Sequence, residues 1–169
     1  MAALIALPIA CAVAGGAVAW KRFGTTDEQD ELRRYVELSV PSLLARERAA
    51  NERIDRLSSR PGPSPAEARA LLVDDVVPRL VSLRRQAESI EAHTPALKSI
   101  NAEYLGAVDA LIEACRSAVR AIDDPALPAD AGQRLVREKF LAAGRASRAW
   151  SEHLRDACVR ARLSPPPAR

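Results

Sequence analysis

Aromatic side chains are scarce: two Trp, two Tyr and two Phe in 169 residues. Any core must therefore be filled by aliphatic side chains and alanine, and there is no stacking platform for nucleic-acid bases. Histidine is scarcer still. Neither His93 nor His153 sits in the Glu-x-x-His spacing that builds metal sites in helical bundles. Seven glycines supply neither a phosphate-cradling loop nor a tight elbow around a nucleophilic serine. No catalytic residue, no metal ligand set and no cofactor is expected, and the chain does not read as an enzyme. Strand-like alternation is absent throughout.

Of the three cysteines, Cys115 and Cys158 fall on different helical stretches. Folded antiparallel, they lie about 20 residues apart in height, roughly 30 Å along a bundle. A disulfide needs Cα atoms within about 7 Å, so two buried thiols are expected. That suits a reducing compartment.

Charge is also missing from the opening, MAALIALPIACAVAGGAVAW, where twenty uncharged residues precede Lys21 and Arg22. A span of about 20 apolar residues is long enough to cross ~30 Å of hydrocarbon. Trp20 and Phe23 fall where interfacial aromatics belong, and Lys21-Arg22 favour the cytoplasmic side. A cleaved signal peptide would carry its basic residues before the apolar run. Residues 1–24 are therefore read as a retained anchor, touching the membrane through residues 1–23, in a bacterial inner membrane with the domain inside. The alternative is export, with cleavage after Ala17-Val18-Ala19. Small residues at four-residue spacing (Ala12/Gly16, Gly15/Ala19) permit two spans to pair, so a homo-oligomer is compatible with the segment.

Beyond this segment the chain reads as helical. Start signals stand at Thr26 with Gln29, at Ser64-Pro65 with Glu67, and at Thr94-Pro95. Breakers stand at SSRPGPSP and DDPALPADAG, and SPPPAR forms a tail. Apolar residues recur at helical spacing over 26–58, 64–93, 95–123 and 128–163. In the last stretch Val136, Phe140, Ala143, Ser147, Trp150, Leu154, Ala157 and Ala161 step by four and three, as along a coiled-coil seam. Short linkers make sequential helices antiparallel. The expected fold is all-α: an elongated up-down-up-down four-helix bundle over residues 25–163, preceded by one transmembrane helix and followed by a disordered tail, 164–169.

Two groups of residues stand out. Reflecting the chain through its turns brings Tyr35, Tyr104 and Trp150 to one height, with Pro41 and Pro78 close by. Proline inside a helix frees a carbonyl and bends the axis. Two such bends beside Ser147 and its small neighbours would open a ligand layer that also includes Asp74. The segments YVELSVPSLL and LLVDDVVPRL moreover place Val-Pro after an acidic turn in both of the first two helices.

The second group is electrostatic. Residues 132–169 carry nine Lys/Arg and three Asp/Glu, against sixteen and nineteen in residues 1–131. Arg134, Arg137, Arg145, Arg148 and Arg155 fall on the charged side of the fourth helix, a surface for a protein partner or anionic lipid. With neither a recognition motif nor stacking aromatics, nucleic acid is not expected. The leading expectation is a non-enzymatic, membrane-tethered bundle binding another protein through a helix face. The runner-up is an exported bundle that senses or carries a small ligand in the proline-level layer.

Overall fold

The structure, a computed structural model, describes residues 27–58 and 62–166. The proposed anchor, residues 1–24, and the Thr26 cap lie outside the described residues. Among those described there are four helical rods and no strand, and no helix is long and apolar enough to cross a membrane.

The first rod, α1, runs through Asp27–Arg34, a π-helical turn Tyr35–Ser39, Val40–Asp55 and a closing 3-10 turn Arg56–Ser58. The second, α2, comprises Pro65–Ala70, a π-helical stretch Leu71–Val76, and Val77–Glu88. The third and fourth, α3 and α4, are unbroken: Pro95–Asp123 and Ala129–Arg160.

Local chemistry sets the starts. Ser64 and Glu67 form a reciprocal capping box, with each backbone N–H satisfied by the other's side chain. The Thr94 hydroxyl accepts from the Leu97 N–H at the head of α3. The α3–α4 turn is closed by Asp124, whose carboxylate accepts from the Ala126 N–H. Gly132 is packed tightly there: a Cβ would stand 3.2 Å from Leu127 and 3.5 Å from Ala121.

The stops fall earlier than the apolar pattern predicts. Helix α2 ends at Glu88 rather than residue 93, and the carboxamide of Asn101 on α3 donates to the Ala87 carbonyl in its last turn. Helix α4 ends at Arg160 rather than 163. Leu163 N–H bonds back to Cys158 and Arg162 N–H to Val159, with Arg162 in the left-handed region at φ 56°. That is a Schellman closure with arginine at the position glycine prefers. Arg162→Gly is expected to raise stability by about 1 kcal/mol by relieving this conformation, read as a higher urea midpoint.

The two Val-Pro segments share one solution. Pro41 and Pro78 cannot donate to the carbonyls four residues back. In each helix the turn just before the proline widens instead: Val40 N–H reaches the Tyr35 carbonyl and Val77 N–H reaches that of Leu72, five residues away. The extra residue shifts the register of α1, so its buried face steps from Tyr35 to Val40 and Val36 is only half-buried.

Cross-helix pairs set the vertical alignment. Gln86 donates to Ser42 at 2.6 Å and Arg53 pairs with Asp75 at 2.9 Å, so α1 and α2 run antiparallel. Arg84–Asp109 and Arg69–Asp123 do the same for α2 and α3, and His153–Glu103 ties α4 to α3. Leu43, Leu72, Leu80, Leu83, Ile100 and Leu154 are among the fully buried aliphatics of the core, with Val40 and Val76. Helix α4 rests on α3 along its length, and its backbone approaches neither α1 nor α2 to a comparable degree.

Candidate functional site

Three of the expected layer residues meet. The rings of Tyr104 (α3) and Trp150 (α4) lie with centroids 4.7 Å apart, tilted by 51°. The indole N–H of Trp150 interacts with the hydroxyl of Tyr35 (α1), whose pKa is raised by burial and drawn back in part by that contact. Tyr104 in turn donates to the Glu47 carboxylate at 3.2 Å. All three aromatics are buried. They sit together because antiparallel packing matches their heights and each lies on the inward face of its helix.

Pro41, Asp74 and Pro78 do not join them. All three are exposed, on the outer faces of α1 and α2. The pairing of Ser42 with Gln86 and of Arg53 with Asp75 puts Pro41 opposite residue 87, and Pro78 opposite residue 50. The two prolines are therefore two to three turns apart, roughly 13 Å. The π turns absorb the missing hydrogen bonds, and the exposed prolines line no layer with the aromatics. Tyr35, Tyr104 and Trp150 fill the layer themselves. Ser147, one turn before Trp150, faces an adjoining cleft of ≈ 450 Å³ that also contacts Glu47, Asn51 and Asp55.

The buried carboxylate Glu31 was not singled out by sequence. Only 6% exposed, it accepts from the backbone N–H groups of His93 at 2.6 Å and Thr94 at 2.9 Å. It thereby closes the head of α3 from α1, where the helix dipole favours an anion. No local motif marks it, because its partners lie more than sixty positions away.

The second group is exposed on the outer side of α4, which also carries the exposed Glu138, Glu152 and Asp156. Arg134, Arg137, Arg145, Arg148 and Arg155 are all on α4 and reach solvent. Arg134 pairs with Asp130 one turn earlier at 3.0 Å. Arg137, Arg145, Arg148 and Arg155 make no ion pair among the described residues. Between them lie Leu141, 49% exposed, and Val159, 64% exposed. At 100° per residue Leu141 and Val159 share one direction on the wheel, flanked by Arg137, Arg148 and Arg155 on one side and Arg145 on the other.

Cys115 and Cys158 are both buried free thiols, and burial pushes the Cys115 thiol up to about 12. Neither is poised as a nucleophile. Among the described residues no group of three or more His, Cys, Asp or Glu is placed to hold a metal. Searches against protein-family models, curated proteins and solved structures return no match.

Proposed function

We propose that this protein is a non-enzymatic interaction module: a helical bundle held at a bacterial inner membrane by residues 1–23, facing the cytoplasm, that binds an acidic protein through the outer face of α4. One observation carries the reading. An edge helix displays Arg137, Arg145, Arg148 and Arg155 without intramolecular ion pairs among the described residues, around the exposed apolar centres Leu141 and Val159. Unpaired charge steers an oppositely charged partner, and exposed aliphatics provide area to bury once it arrives. The anchor rests on the uncharged run before Lys21.

The test is a photo-crosslinking residue in place of Leu141, in the full chain expressed in bacteria. A discrete adduct is expected in the membrane fraction, resistant to alkaline extraction and lost when Arg145 and Arg148 are both changed to Glu. An adduct that survives the double reversal, or its absence, would overturn the assignment of this face. An adduct released by alkali would overturn the anchor.

A further inference from the structure

Helices α1 and α4 form the two walls of an open groove below the aromatic layer. Its upper part is the ≈ 450 Å³ cleft floored by Ala107, Val108 and Leu111 of α3. Its lower part, ≈ 940 Å³, runs on past Ile54 and Phe140, which border both, to the α3–α4 turn. The lower lining is apolar, with Leu57, Leu72, Ile122 and Val136 prominent, and among the described residues its polar side chains are Gln133 and Arg137. From Ala129 to Ser147 the α4 wall is roughly 27 Å long.

From this geometry we infer that the groove seats an amphipathic helix of the partner, its apolar stripe flanked by an acidic side facing Arg137 and a basic side facing Asp55. Three features select that occupant. Among the described residues nothing encloses the groove on its outer side. An alkyl chain laid in it would leave one side wet, whereas an amphipathic helix presents its polar face there. The length also fits: the roughly 27 Å of α4 wall from Ala129 to Ser147 matches a helix of about 18 residues. The charges fit as well. Arg137 stands on the α4 wall and Asp55 on the α1 wall, both exposed and neither in an ion pair among the described residues. Opposite charges on the two walls complement a helix whose flanks differ in sign.

The inference rests on the protein-binding reading above and extends its surface from the outer face of α4 onto the neighbouring wall. Its test uses the full chain in nanodiscs and three synthetic helical peptides of about 18 residues. All share leucines at i, i+3, i+4 and i+7. Their flanks are Glu on one side and Lys on the other, Glu on both, or Lys on both. The Glu/Lys peptide is expected to bind the native chain about tenfold more tightly than either of the others. Arg137→Glu should reverse that order, making the all-Lys peptide the best ligand, a rescue that general loss of structure would not produce. Ala68→Glu puts a carboxylate on the groove wall in the first turns of α2, where the helix dipole tolerates it. This change should weaken the Glu/Lys and all-Glu peptides.

Equal binding of the three peptides, or no change of order with Arg137→Glu, overturns the inference. So does dodecanoate raising the melting temperature in an Ala68-dependent way while no peptide binds, or a peptide-independent dimer closing the groove. Peptide binding that is lost with Arg145→Glu and Arg148→Glu but indifferent to Ala68→Glu would also overturn the groove as the seat. That last result would leave the proposed function standing on the outer face.

Discussion

Replacing Trp150 with alanine is expected to cost about 3–5 kcal/mol, the range for truncating a large buried aromatic. Trp150 is 1% exposed, packs against the tilted ring of Tyr104 and contacts the Tyr35 hydroxyl. Three losses coincide: buried area, the ring–ring geometry worth about 0.5–1.5 kcal/mol beyond area, and the polar contact that Tyr35 makes inside the core. The site also matters for topology. Helix α4 leans chiefly on α3 and engages α1 in this layer, so a cavity here loosens the side of the bundle that carries the groove. For a domain with total stability of about 5–15 kcal/mol, the loss is a large fraction. Urea unfolding followed by circular dichroism measures it. Trp150→Phe, which keeps a ring but drops the indole N–H, should cost clearly less. A loss below about 1 kcal/mol for the alanine variant would mean the layer is not consolidated.

Glu31→Gln is the second large effect, expected at about 3 kcal/mol near neutral pH because hydrogen bonds to a charged group contribute about 1.5–3 kcal/mol each. The carboxylate accepts two backbone N–H groups at once, from His93 and Thr94. An amide has one acceptor oxygen, and its NH₂ would face the second donor. The loss should depend on pH. Burial raises the Glu31 pKa, but the hydrogen bonds from Thr94 and His93 together outweigh it, and the net shift is downward. A carboxylate whose folded pKa is depressed stabilises the fold fully above its unfolded pKa, near 4.5. That contribution disappears as pH falls through the lower folded value. The gap between native and Glu31→Gln urea midpoints should therefore be widest at neutral pH and close progressively below about 4.5. A gap unchanged by acidification would mean that the carboxylate's charge does not hold this turn.

The residues differ in how readable they were. Ser64, Glu67 and Thr94 announce their helix starts because a cap is satisfied within three residues of chain. The shared height of Tyr35, Tyr104 and Trp150 was also legible, since rise per residue and short antiparallel connections convert sequence position to height. Height says nothing about rotation around the axis, which is why Pro41, Asp74 and Pro78 were expected beside the aromatics and stand on the outside. The π turns escaped for a related reason. The repeated Val-Pro was visible, but it does not say how the freed carbonyls are satisfied, and here the turn before each proline widens to five residues. Glu31 and the groove left no trace in any local window. One depends on partners brought in from the far side of a turn, the other on the distance between two helix axes.

The sequence by itself determined the helical class, the four stretches, the uncharged opening segment and the basic character of the last helix. Periodicity, capping and charge are properties of neighbouring residues, and they act before any tertiary contact forms. Only the tertiary structure decided which α4 arginines lack an internal partner among the described residues, how the aromatic layer is filled, and that α1 and α4 part below it into a groove. Those outcomes depend on the rotation and separation of whole helices, which arise from the simultaneous packing of side chains from all four.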